Sequence, residues 1–213
     1  MRNKFDRVLE NLNNNLVSMG TLCENAISMA VSSFLEGNNT YHKSAYELEE
    51  KINTSEKDIE QQCLSLLLKQ QPVARDLRSI SAALKMITDL ERIGDHAYDI
   101  AELCEYTFKI SSNDTIKLMA DESVKMVSSA INSFVERNLE LAQKVILNDD
   151  IVDDLFVKTK DDIINKVRQN SDDVHTMIDM LMIAKYLERI ADHATNIAEW
   201  VEFSLTGKHR EDK

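Results

Sequence analysis

The residues of this chain best suited to chemistry are two pairs of carboxylates set four apart, Glu91 with Asp95 and Glu188 with Asp192. On a helix that spacing turns one side chain from the other by only about 40°, so the oxygens of a pair are presented together. Two carboxylates from one helix, joined by others from a neighbour, make an oxygen-rich site that suits Mg, Mn, Ca or Fe. Both pairs lie in one repeated phrase, Leu90-Glu91-Arg92-Ile93-Gly94-Asp95-His96-Ala97 and Leu187-Glu188-Arg189-Ile190-Ala191-Asp192-His193-Ala194. Each phrase runs on to an Ile-Ala-Glu tail, ending at Glu102 and Glu199. The chain is therefore an internal duplication.

Spacing alone is a weak signal. Chance places about six acidic pairs at i, i+4 in such a composition, and eight are present. Glu56 with Glu60 and Glu136 with Glu140 read as solvated faces. The recurrence of one pair at equivalent places in both halves separates it from these. Facing acids are also available. Glu49 and Asn53 of the second helix stand opposite Asp149 and Asp153 of the fifth at an offset of 100. Glu49 and Asn53 can thus join Glu91 and Asp95, and Asp149 and Asp153 can join Glu188 and Asp192. The competing reading is a solvated or salt-bridged helix face, extended by Asp99 and Glu102 in one copy and by Asn196 and Glu199 in the other. His96 is turned about 140° from Glu91, which favours packing or hydrogen bonding for it and for His193. Arg92 and Arg189 read as interhelical ion pairs, with a partner contact or an anion grip as the functional alternative.

Long helices must position these groups. Four Gly and one Pro interrupt 213 residues rich in good helix formers, which predicts an all-α chain. Helices are expected at about 5–36, 41–69, from Pro72 onward, from Asp114, at 139–168 and from after Ser171 to about 205. Gly37-Asn38-Asn39 and Gly207 read as stops. On the third helix Ala83, Met86, Ile87, Leu90, Gly94, Ala97 and Ala101 form an apolar stripe. Two tandem three-helix bundles, 1–112 and 113–213, bury such stripes with short connections.

Composition excludes other classes. The net charge is −12, whereas a nucleic-acid binder needs a basic footprint. No apolar run approaches the ~20 residues that span a bilayer, and the first residues lead into a charged helix rather than a signal peptide. A cytoplasmic protein is expected. Cys23, Cys63 and Cys104 form no Cys-x-x-Cys pair and read as ordinary buried or half-buried thiols. P-loop, nucleophile-elbow, dinucleotide and His-Glu-x-x-His patterns are absent. So is Glu-x-x-His, the mark of carboxylate-bridged di-iron bundles.

The doubled phrase, its Ile-Ala-Glu tails and the segment Gln70-Gln71-Pro72-Val73-Ala74-Arg75-Asp76-Leu77-Arg78 resemble the PhoU family over essentially the whole chain. The resemblance implies two tandem three-helix bundles and a homodimer. It implies a regulator of phosphate uptake that represses the phosphate-starvation response, linking a phosphate ABC transporter, through its ATPase subunit, to a sensor histidine kinase. It also implies multivalent metal ions, iron, zinc, magnesium or manganese, at Glu91/Asp95 and Glu188/Asp192 with Asp149/Asp153 and Glu49/Asn53. Asn53 departs from the acidic pattern and lowers the expected charge of the first site. The alternatives are a metal-storage or metal-dependent oxidising helical bundle and an accessory protein for another phosphate carrier.

Overall fold

The computed structural model describes residues 2–36, 41–70, 72–106, 114–169 and 174–208. Six helices occupy them: α1 (Arg2–Glu36), α2 (Tyr41–Gln70), α3 (Ala74–Tyr106), α4 (Asp114–Glu136), α5 (Leu139–Arg168) and α6 (Val174–Thr206), with no strand among the described residues. The expected boundary at 112/113 and the stop at Gly37-Asn38-Asn39 lie outside the described residues. The third helix begins at Ala74 rather than Pro72. The Leu77 N–H donates to the Val73 carbonyl at 2.9 Å, so Val73 takes the cap position and Pro72 falls in the connection.

Helices α1, α2 and α3 pack pairwise, as do α4, α5 and α6, and the two bundles join where α3 lies on α6 and α1 on α4. That leaves α2 and α5 on the outside. Helices α3 and α6 run antiparallel, since Arg78 reaches Ser204, Asp89 reaches His193 and His96 meets Tyr186. The core follows the stripes. On α6 the buried positions Met177, Met180, Ile183, Leu187, Ile190, Ala194, Ile197 and Val201 step by threes and fours. The expected α3 stripe is buried throughout.

The duplication holds at the level of single atoms. Cys23 Sγ donates to the Leu90 carbonyl at 3.3 Å, and the equivalent Ser123 Oγ donates to the Leu187 carbonyl at 3.2 Å. One donor on the first helix of each bundle thus ties down the turn just before the first acid. All three thiols are free and buried. Burial pushes Cys23 above the ordinary thiol range, and Cys63 and Cys104 up to about 12. They are inert packing groups, as expected.

A compensated pair sets the approach of α2 to α3. A Cβ on Gly94 would stand 2.9 Å from Ile52 Cδ1 and 3.1 Å from its Cγ2. The equivalent pair in the second bundle is Ala191 and Val152, both buried, with one carbon moved from the α5 side to the α6 side. Volume-conserving swaps of this kind are well tolerated where single enlargements strain the core. Gly94→Ala combined with Ile52→Val is therefore expected to be more stable than the sum of the single changes, by about 1 kcal/mol in a denaturant double-mutant cycle. Strict additivity would show that the two side chains do not share that space.

Two helix ends use left-handed backbone. Gly207 has φ 75 and its N–H bonds to Phe203 O at 2.8 Å. At the end of α4, Asn138 N–H reaches Ser133 O at 2.8 Å and Arg137 N–H reaches Phe134 O at 3.2 Å, with Arg137 at φ 56. This is a Schellman closure with an arginine where glycine is usual, and it costs about 1 kcal/mol in backbone strain. Asn138 then caps α5 by accepting from Leu141 N–H at 3.0 Å.

Candidate functional site

The acids of the second bundle converge as the repeat requires. Helix α5 brings Asp149 and Asp153 toward Glu188 and Asp192 on α6, because Val152 is buried in the contact and its neighbours on either side flank it. Burial, then the charges of Asp192 and Asp153, push the Asp149 carboxyl up to about 6, while the neighbouring Thr195 hydroxyl opposes the rise. Burial and the Glu188 charge likewise raise Asp153 and Asp192, with Lys185 pulling both back. Lys185 Nζ is hydrogen-bonded to Glu188 and stands 5.3 Å from the centre of the Phe156 ring. The cluster therefore holds four carboxylates and one ammonium.

The first bundle builds a related cluster from a different set. Glu91 is raised by burial, then by Asp95, and further by Glu56 and Glu49, while Arg92 opposes. Asn53 Nδ2 donates to Glu49 Oε1 at 2.6 Å. Glu56, read from sequence as part of a solvated face, acts on this site. It stands at the position of Phe156, and Thr88 stands at that of Lys185. Glu49, Glu56, Glu91 and Asp95 again make four carboxylates, so Glu56 offsets the acid lost at Asn53.

Arg92 folds back along its own helix, with Nη1 3.1 Å from Asp95 Oδ2 and Nε 3.5 Å from Glu91 Oε2. It is an intrahelical pair rather than the interhelical one expected, because a guanidinium three residues before an acid reaches it without leaving the helix surface. The acidic stripe also divides. Asp99 Oδ2 lies 3.4 Å from His96 Nδ1, and Asn196 Nδ2 donates to Asp89 Oδ1 at 3.3 Å. These turns serve the α3–α6 contact instead. His193 Nδ1 lies 2.9 Å from Asp89 Oδ1, and the His96 and His193 rings approach to 5.6 Å between centres. Both histidines are thus hydrogen-bonding residues of the interface between bundles, in agreement with the reading that they pack. Sequence reasoning missed Asp89 and Tyr186, which stand at equivalent positions but carry different chemistry and leave no repeat signal.

Among the described residues three buried side-chain oxygens lack a hydrogen bond, Asn53 Oδ1 in the first cluster and Asp149 Oδ1 with the neighbouring Thr195 Oγ1 in the second. Such orphans are costly, and a hard cation would satisfy them. The donor sets are purely oxygen, which fits Mg, Mn or Fe(II) better than a soft metal. Among the described residues no three His, Cys, Asp or Glu side chains close to metal-holding distance. Binding would therefore need the carboxylates to turn inward from Arg92 and Lys185.

A pH dependence follows for the chelated protein. Burial and the neighbouring carboxylates push the folded Asp149 carboxyl up to about 6 from its ordinary value of 3.8, which the unfolded chain keeps. The folded state holds more protons in that window, so this group adds stability as pH falls from about 6 toward 4 and subtracts it above. His96 runs the other way, because burial lowers its pKa despite the Asp99 hydrogen bond. The readout is accordingly the difference from Asp149→Asn. That variant is expected to be about 1 kcal/mol more stable at pH 7, discounted for partial exposure, with the advantage vanishing near pH 4. An advantage independent of pH would remove the carboxylate from the explanation.

Comparison with known proteins places the whole chain. The family model described as PhoU domain matches residues 16–104 and again 116–201. The chain is 33% identical over 211 residues, 97% of it and 96% of the relative, to the phosphate-specific transport system accessory protein PhoU homolog of Clostridium acetobutylicum. It is 32% identical over 214 residues to the similarly named protein of Synechocystis sp., covering 97% of this chain and 93% of that one. The crystal structure of PhoU from Pseudomonas aeruginosa superposes with a TM-score of 0.88 at 29% identity, over 96% of this chain and 100% of that one. The phosphate transport system regulatory protein PhoU from Streptococcus pneumoniae shares the fold, with a TM-score of 0.90 at 24% identity and coverage of 97% and 99%.

Proposed function

This chain belongs to the PhoU family, and on that premise we propose that it is an accessory protein of phosphate transport that restrains the phosphate-starvation response. It does so as a non-enzymatic adaptor between a phosphate ABC transporter, contacted at the ATPase subunit, and a sensor histidine kinase. The observation that carries the reading is the 33% identity over 97% of the chain to a protein named as a phosphate-specific transport accessory factor. The architecture suits an adaptor. Helices α2 and α5 lie on the outside of a joined pair of bundles, offering one long face in each repeat. In this reading the chain works in the cytoplasm and reaches the membrane only through the transporter. No helix of the described residues is long and apolar enough to cross a bilayer.

Metal enters this reading as a structural ligand of the two clusters. Asp149, Asp153, Glu188 and Asp192 would hold one ion, and Glu49, Asn53, Glu91 and Asp95 another, with Glu56 adding charge beside them. A bound cation supplies the counter-charge that the crowded carboxylates lack. The chain's own part is to fix two carboxylates on one helix and two oxygen donors on its neighbour, while Lys185 and Arg92 hold the sites together without metal.

Co-purification tests the adaptor. The immobilised chain is expected to retain the purified ATPase subunit and the cytoplasmic part of the kinase at the same time. Retention of neither, or of each only in the absence of the other, would contradict a linking role.

A further inference from the structure

The seam between the bundles brings together one histidine from each repeat. His96 on α3 and His193 on α6 follow the second acid of their phrases and are equivalent positions. Their rings lie 5.6 Å apart between centres and are tilted by 31°. Equivalent helices meet in pairs, α1 with α4 and α3 with α6, as an approximate two-fold relation between the repeats requires. Two equivalent side chains that touch stand on that two-fold, where a single ion can serve both.

Each imidazole is tied down through one nitrogen. His193 Nδ1 lies 2.9 Å from Asp89 Oδ1, and Asn196 Nδ2 donates to the same oxygen at 3.3 Å. His96 Nδ1 lies 3.4 Å from Asp99 Oδ2. A carboxylate accepts, so in the neutral rings Nδ1 carries the proton and Nε2 the lone pair. Among the described residues neither Nε2 has a hydrogen-bond partner, and neither is sealed from water. A carboxylate on Nδ1 fixes the ring and its tautomer and makes Nε2 the better electron donor, which is the usual support of a metal-bound histidine. Tyr186, 5.5 Å from the His96 ring between centres, packs on that ring as well. Arg189 is a cation whose charge reaches His96; Asp99 and Asp89, bonded to the two rings, and Asp192, beside His193, oppose it.

We propose that His96 and His193 form a metal site distinct from the acidic clusters, a two-imidazole seat for zinc that ties α3 to α6 across the bundles. With Zn–N bonds of about 2.0–2.1 Å, two imidazoles on one tetrahedral ion have ring centres roughly 5–5.5 Å apart. The rings already stand close to that separation. Water fills the two remaining positions of the shell. Imidazole nitrogen suits zinc, whereas Mg and Ca prefer oxygen, so this seat and the all-oxygen clusters select different ions. The site rests neither on the adaptor reading nor on metal in those clusters.

Long-range 1H–15N spectra of the full chain, labelled with 15N-histidine and freed of metal by chelator, test the site. Zn(II) added stepwise is expected to shift Nε2 of His96 and of His193 with one common affinity, while Mg(II) at the same concentrations moves neither. His193→Gln should weaken the response of His96 to Zn(II) at least tenfold. Asp89→Asn, which keeps both rings, should weaken it severalfold, and the spectra of the parent decide the question even where a variant is unstable. A shift on one ring only, separate affinities for the two, the same response in all five histidines, or none up to millimolar Zn(II) would overturn the assignment.

Discussion

Glu188→Ala combined with Asp192→Ala will erase the rise in thermal midpoint that a divalent cation confers through the second cluster, and will leave the chelated protein as stable as the parent or more so. The reasoning is electrostatic. Asp149, Asp153 and Asp192 all sit above their ordinary carboxyl range because each loses part of its water where α5 meets α6 and because they crowd one another and Glu188. Without a cation, the two α6 acids raise the free energy of the folded state, so their removal relieves repulsion. With a cation, the same crowding becomes the source of affinity, since each charge withdrawn leaves fewer oxygens to replace the lost water. A ligand at a hundred times its Kd stabilises by about 2.7 kcal/mol, or roughly 5–10 °C for a chain of this size. Scanning fluorimetry in chelator and then with Mg, Mn, Zn or Fe(II), together with bound-metal analysis, reads the effect. An equal shift in parent and variant would place the cation elsewhere.

Much of the scaffold was legible because its signals are local. The near absence of Gly and Pro predicted long helices, and the step of threes and fours on α3 and α6 predicted which faces are buried. The doubled phrase placed the acids on the third helix of each bundle, and the offset of 100 found their neighbours on α2 and α5. What escaped depends on how far a helix is rotated against each neighbour. Asp95 and Asp99 are one turn apart, yet Asp95 joins the cluster facing α2 while Asp99 pairs with His96 toward α6. Glu56 was invisible for the same reason, as its counterpart is Phe156 and no repeat marks it. Arg137 was missed because a left-handed helix end is read from glycine or asparagine, and here an arginine occupies it.

Loss of the whole chain has the largest expected consequence, in the cell rather than in the cuvette. An adaptor that restrains a kinase when phosphate is plentiful acts by holding the kinase in its restrained state, so removing it releases the response whatever the external phosphate. The size of the effect is that of the full switch between repressed and induced expression. Point changes that spare the outer faces of α2 and α5 should move it far less. Glu188→Ala with Asp192→Ala is one such variant, since both residues lie on α6, beside α5, and not on the outer face of α2 or α5. That variant is expected to restore most of the repression when returned to a deletion strain.

The most direct test is a reporter of a phosphate-starvation promoter in a strain lacking this chain, grown in abundant phosphate. The account predicts expression near the starved level, returned to the repressed level when the chain is supplied from a plasmid. Full repression in the deletion strain would contradict it.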